Sequence, residues 1–302
     1  MGCWRPRRLT HANLYVSDLD RAMAFYKTVV GLEEVYRRPA VKAGFLSNGN
    51  THHDIGMVDV SSPLCRSGKP GLNHLAFETE TEEDLVAGYR RAVAAGQVFP
   101  RTVDHDITRS IYGADPDGNA VEIYADTTKE WRTLRTGTVT KPTPAWTPGR
   151  PEPSRERLYH QAPEIRRVED AVFHPRRIVQ ATLVARDFDG MLAFYTDVIG
   201  LGCKESSSDG AVLSGDCGQR DLVLLRNAVG LEPGLHHLRF EVDTMDDLSR
   251  SERRAKSLGL ALERSAPSAE GIVIRDPDGI RLRFQASAGG LASDPGAAPY
   301  LM

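Results

Sequence analysis

Four side chains fall on positions where chemistry could converge: His11, His53, His74 and Glu122. The key is a short stretch that the chain writes twice, SIYGADPDGNAVEIYAD over 110–126 and GIVIRDPDGIRLRF over 271–284. In each, two alternating runs flank Asp-Pro-Asp-Gly, the residue chemistry of a tight β-hairpin turn. At the position of Glu122 the second copy has Arg283, a cation in place of a metal-ligating anion. His11 and His74 open corresponding strands, and His53 follows Gly49 by the same four residues that separate Glu122 from Gly118. Three imidazoles and one carboxylate are donors that suit a divalent transition metal.

The second half of the chain acts as an internal control. There Gln180, Arg220, His237 and Arg283 stand where His11, His53, His74 and Glu122 stand in the first. Two arginines at ligand positions would repel a divalent cation, so the second half is expected to have lost the site and His237 to be structural. The ligand set is then a functional feature, because the same scaffold does without it.

The elements that must position these residues form one repeated unit. A strand over 8–16 leads to a helix that Asp18 caps and Gly31 closes, with Leu19, Met23, Tyr26 and Val30 on one face. Strands are expected near 33–38, 42–48 and 53–60, with Asn48-Gly49 as a hairpin turn. The order repeats from Gly71, where Thr81 and Asp84 resemble a capping box before the helix and strands follow near 98–103, 110–115 and 120–125. Third and fourth copies follow: ATLVARDFDGMLAFYTDVIGL parallels ANLYVSDLDRAMAFYKTVVGL, and GLHHLRFE parallels GLNHLAFE. The expected architecture is α+β, with four βαβββ modules paired into two domains whose sheets curve into cups. Residues 1–126 would form the metal-binding catalytic domain, 127–174 a proline-rich linker, and 175–302 a degenerate domain. Trp131 and Trp146 could anchor that linker in a groove or merely pack on the surface.

Composition narrows the function classes. A chain of 302 residues with a formal net charge of -3 offers no basic surface for nucleic acid or an anionic membrane. The opening MGCWRPRRLTH lacks the apolar run of a signal peptide, and no stretch reaches the ~20 apolar residues of a membrane span. The four cysteines are scattered without a CxxC, as free thiols in a reducing cytosol would be, so a cytoplasmic protein is expected.

The paired modules, the His11/His74/Glu122 set and the DPDGN-x-x-E hairpin resemble the vicinal oxygen chelate superfamily of glyoxalases, fosfomycin and bleomycin resistance proteins and type I extradiol dioxygenases. The resemblance covers nearly the whole chain apart from the linker and tails. Within that superfamily the chain looks most like the extradiol enzymes, and the likeness implies specific roles. His11, His74 and Glu122 would hold Fe(II), with Mn(II), Zn(II) or Ni(II) as alternatives. His53, in His52-His53-Asp54, would be the acid–base catalyst. Tyr112, ten residues before Glu122, would hydrogen-bond the substrate or its oxygenated forms, and His105 would be a further catalytic histidine beyond the ligands. The second half has Val273 and Ala266 at the offsets of Tyr112 and His105. One departure stands out: familiar two-domain extradiol enzymes keep iron in the C-terminal domain, whereas here the ligands are N-terminal.

The resemblance thus implies ring cleavage of a catecholic diol with O2 in a homo-oligomeric enzyme. Two other readings remain. One is lyase, isomerase or thiol-transferase chemistry with His53 as a fourth metal ligand, and the other is a non-catalytic, drug-sequestering binder.

Overall fold

The computed structural model describes residues 2–218, 220–228, 230–264 and 271–287. The chain opens with β1 (Arg8–Val16), α1 (Leu19–Phe25), β2 (Glu34–Arg38), β3 (Ala43–Leu46) and β4 (Ile55–Asp59). The order repeats as β5 (Gly71–Glu78), α2 (Glu82–Ala94), β6 (Arg101–Asp104), β7 (Thr108–Ala114) and β8 (Ala120–Asp126). A connecting stretch carries α3 (Trp131–Leu134) and β9 (Gly137–Thr138). The third module is β10 (Pro175–Ala185), α4 (Phe188–Ala193), β11 (Gly202–Ser206), β12 (Gly210–Ser214) and β13 (Leu222–Arg226). The fourth is β14 (Gly234–Val242), α5 (Met245–Ser257), β15 (Glu263–Arg264), β16 (Ile272–Arg275) and β17 (Arg281–Ala286). This is the expected α+β fold of two paired domains.

Local chemistry explains the element ends. Asp18 accepts the Arg21 amide at 3.0 Å and starts α1, which runs into a π-helical turn (Tyr26–Val30) and exits through Gly31 at φ 88°. Only a residue without Cβ adopts that left-handed turn readily. Thr81 accepts the Asp84 amide at 3.1 Å and donates its hydroxyl to the Asp84 carboxylate, so the expected cap forms. Thr244 and Asp247 repeat it at α5.

The first sheet runs β6-β7-β8-β5-β1-β4-β3-β2-β9 and the second β11-β12-β13-β10-β14-β17-β16-β15. Two modules meet where β1 pairs antiparallel with β5, in register Ala12↔Leu75, while β4 and β8 flank them in parallel. Alternation along these strands separates core from site. Ala12, Leu14, Val16, Leu75, Phe77, Val121 and Ile123 enter the hydrophobic core beneath the helices. Asn13, Tyr15, His74 and Glu122 face a cavity on the other side, with His11 buried beside Glu122.

The repeated DPDG hairpins turn out to join the domains. Tyr195 donates its hydroxyl to Asp115 at 3.0 Å, and Tyr26 donates to Asp276 at 3.1 Å in the mirror contact. Asp117 accepts the amides of Arg186 and Asp187, and Asp278 accepts the Ser17 amide. Each turn therefore holds the start of a helix segment in the opposite domain. Tyr26→Phe should leave a buried carboxylate one donor short and lower stability by about 1–3 kcal/mol. A urea midpoint that falls with an unchanged m value would register this, and an unmoved midpoint would refute it.

One local expectation is corrected. Asn48-Gly49 is not a hairpin turn: residues 47–54 form a wider loop, and the strand expected over 53–60 begins at Ile55. The Asn48 side chain is drawn outward, accepting the Glu33 amide and donating to the carbonyls of Gly31 and Pro175. The linker carries two short elements of its own. β9 adds a parallel edge strand beside β2, and Ala145 bridges Val103 on β6. Trp131 and Trp146 are both buried, Trp146 with the Arg109 guanidinium 5.5 Å from its ring centroid. They are anchors.

Candidate metal centre

Glu122 is the point of convergence. Its Oε2 lies 2.9 Å from His74 Nε2 and 3.3 Å from His11 Nε2, and all three residues are buried. The donor atoms of the set lie within 4.8 Å of one another. Three adjacent strands supply them, β1, β5 and β8, each through a residue on the cavity face.

The hydrogen bonds around the imidazoles fix which nitrogen is free. His74 Nδ1 lies 3.2 Å from Asn73 Oδ1, an atom that can only accept, so Nδ1 carries the hydrogen. The Thr10 hydroxyl donates to the Ala76 carbonyl, which leaves its lone pair for His11 Nδ1 at 3.4 Å. In both rings Nε2 then presents a lone pair to an anionic oxygen. Asn13 Nδ2 confirms this for His74 by approaching the same Nε2 as a donor at 3.1 Å. Lone pairs facing a buried carboxylate need a cation between them, and partners that fix the far nitrogen are characteristic of metal-binding histidines. The residues fit a divalent metal.

Electrostatics agree. Burial by itself would raise the Glu122 carboxyl, but the His11 and His74 imidazoles beside it hold it well below its ordinary range. Burial lowers His11, so the imidazole is neutral, the form that ligates.

His53 sits in the same cavity but stands outside the triad. Its ring lies 4.0 Å from that of His11 and packs edge-on to Phe45 at 4.9 Å. Neither ring nitrogen has a hydrogen-bond partner, and burial pushes its pKa well below the usual imidazole value. A second cluster, His11, His52 and His53, shares His11 with the triad. The register corrects the expected equivalence: Ala76 pairs with Glu122, and Asn13, its counterpart on β1, pairs with Gly56. The slot matching Glu122 is therefore Gly56, and His53 reaches the cavity from the loop before β4.

Tyr112 is the direct cross-strand neighbour of Glu122, and its ring lies 5.6 Å from that of His74. Its hydroxyl is 3.0 Å from His105 Nε2. Burial raises the Tyr112 phenol well above its ordinary value and pushes His105 down to about 4. The pair is therefore neutral near pH 7. Every predicted site residue lies at one cavity of about 830 Å³ or, for His11, directly behind its wall.

Asn13 was not anticipated. It is buried, its Oδ1 lacks a partner, and a side chain at Gly56 would collide with that oxygen. The only sequence signal was its place two residues after His11 on an alternating strand.

In the second sheet the same slots have other chemistry. Arg283 pairs with Arg239 as Glu122 pairs with Ala76, Val273 lies opposite Arg283 as Tyr112 lies opposite Glu122, and Gln180 donates to Thr182. Ala266 lies outside the described residues. Among the described residues, both groups able to hold a metal lie in the first half of the chain. No described helix is long and apolar enough to cross a membrane.

Comparison with known proteins agrees with this architecture. Over 123 residues the chain is 34% identical to biphenyl-2,3-diol 1,2-dioxygenase 3 of Rhodococcus globerulus, covering 39% of this chain and 63% of that protein. Over 195 residues it is 26% identical to the catechol-2,3-dioxygenase of Bacillus subtilis (strain 168), covering 63% and 64%. The match thus spans a little under two thirds of either relative. In fold, the chain superposes on the 2,3-dioxygenase LapB from Pseudomonas sp. KL28 with a TM-score of 0.68 at 16% identity, covering 94% of this chain and 93% of that one. The Glyoxalase/Bleomycin resistance protein/Dioxygenase superfamily profile matches twice, over residues 8–123 and 177–284, and the chain belongs to that superfamily.

Proposed function

We propose that the protein is an Fe(II)-dependent extradiol dioxygenase that opens the ring of a catechol-like substrate beside its vicinal diol. One observation carries the reading: a buried two-His, one-carboxylate set shares a cavity with an unpartnered histidine outside that set and with a neutral His–Tyr pair. Iron held by His11, His74 and Glu122 would supply Lewis acidity and adjacent open positions for a chelating diol and dioxygen. The relatives named for catecholic diols support the same class.

The remaining roles belong to the protein. His53 is neutral at pH 7 and its nitrogens are uncommitted, so it takes a proton from a substrate hydroxyl and later returns one. Tyr112, held by His105, directs its hydroxyl at the substrate oxygens beside Glu122. The Tyr36–Phe45 stack gives an aromatic ring an apolar wall. Asn13 steadies the side of the site nearest His74. Separation of His53 from the His74/Glu122 cluster supports the acid–base role over that of a fourth ligand.

The test is oxygen uptake. Protein loaded anaerobically with Fe(II) and offered a panel of substituted catechols should consume O2 and form a coloured ring-opened product. Conversion that proceeds unchanged without oxygen would overturn the reading. Tyr112→Phe should keep its iron and turn over roughly tenfold more slowly, the worth of one hydrogen bond. An unchanged rate would remove Tyr112 from the chemistry.

A further inference from the structure

The cavity has a charge balance opposite to that of the chain. The protein is net acidic at -3, yet the cavity is lined by Arg38, Arg66, Arg101 and Arg135 against a single carboxylate, Glu122. Glu122 is committed to His11 and His74. Arg135 is satisfied by Asp106, which also takes Lys141. Arg38 and Arg101 have no ion pair with any described residue. Arg101 lies over the Tyr112 ring, 4.8 Å from its centroid, one ring removed from His74. Arg38 is half-buried at the same cavity, and its desolvation together with nearby Arg135 and Arg101 lowers its pKa. Guanidinium groups crowded around a partly desolvated cavity focus a positive potential, and Arg38 and Arg101 lack the anion such a group is shaped to bind.

Space points the same way. About 830 Å³ far exceeds the needs of a bare catechol. Tyr36, Phe45 and Leu64 give the same cavity an apolar wall alongside the arginines. An apolar wall in the same cavity as unpaired cations suits a ring substituent that ends in an anion.

We propose that Arg38 and Arg101 form an anion subsite, so that the substrate is a catechol carrying a carboxylate on a side chain. This rests on the diol occupying the metal centre, as in the proposed function. A planar carboxylate meets a guanidinium through paired N–H donors, which a neutral group of equal size does not match.

The experiment compares a catechol bearing a carboxymethyl group with its methyl ester, measured by calorimetric titration of the metal-loaded protein without oxygen. The acid should bind roughly 10- to 100-fold tighter, the range expected for charge-assisted hydrogen bonds. That preference should shrink towards unity in Arg38→Gln/Arg101→Gln. Arg101→Gln alone, at an exposed site, should reduce it and serves if the double variant does not fold. Equal binding of acid and ester, binding of neither, or an undiminished preference in the variants would overturn the subsite. Oxygen uptake with the same two compounds is read separately. A preference for the acid without uptake would leave the subsite standing and remove ring cleavage, while uptake without preference would do the reverse.

Discussion

Glu122→Gln should lose its metal and, with it, all measurable turnover. The amide keeps the size of the carboxyl but removes the only negative charge among the triad, where two Nε2 lone pairs converge on Oε2 at 2.9 and 3.3 Å. Loss of partners that merely orient ligands commonly costs 10–100-fold in affinity, so loss of the anionic ligand itself should cost more than about 100-fold. Stability should report the same event. A metal at 100 times its dissociation constant adds about 2.7 kcal/mol to the folded state, and that increment should vanish in the variant. Elemental analysis of protein purified without oxygen, together with melting in the presence and absence of Fe(II), measures both. Undiminished occupancy would mean that other groups hold the ion, with His11, His52 and His53 the alternative cluster.

His53→Gln has the opposite signature: metal retained, turnover lost. The ring is buried and both nitrogens lack partners, an arrangement that serves a proton carrier. Removing a general acid–base commonly costs ~10²–10⁴-fold in rate, and the loss should appear in kcat. Glutamine keeps a polar side chain in the cavity, which limits rearrangement around Phe45 and His11. Metal content and single-turnover rates on the same preparation separate the outcomes. If the metal is lost, His53 is a fourth ligand and the lyase or isomerase branch gains.

The candidate ligands were legible because the chain contains its own comparison. Arg283 at the place of Glu122 marks which polar residues the fold does not need, and the register confirms that pairing strand by strand. The modules were equally plain, since their apolar period and caps are local properties of sequence. What escaped depends on contacts between distant segments. The loop 47–54 widens because Asn48 bonds to Glu33, Gly31 and Pro175, so His53 could not be placed by counting from Gly49. Asn13 became recognisable only once Gly56 lay opposite it. The buried tryptophans of the linker, and the arginines gathered at the cavity from β2, β6 and the segment after α3, likewise needed the folded chain.

The most direct test follows the oxygen atoms. In ring cleavage beside the diol, one ring C–C bond breaks and both atoms of O2 enter the product, so no external reductant is consumed. Fe(II)-loaded protein turned over under ¹⁸O₂ with a responsive catechol should give a ring-opened product carrying two labelled atoms before solvent exchange. A product without label, formed as fast under argon as in air, would contradict extradiol cleavage and assign the centre to chemistry that needs no oxygen.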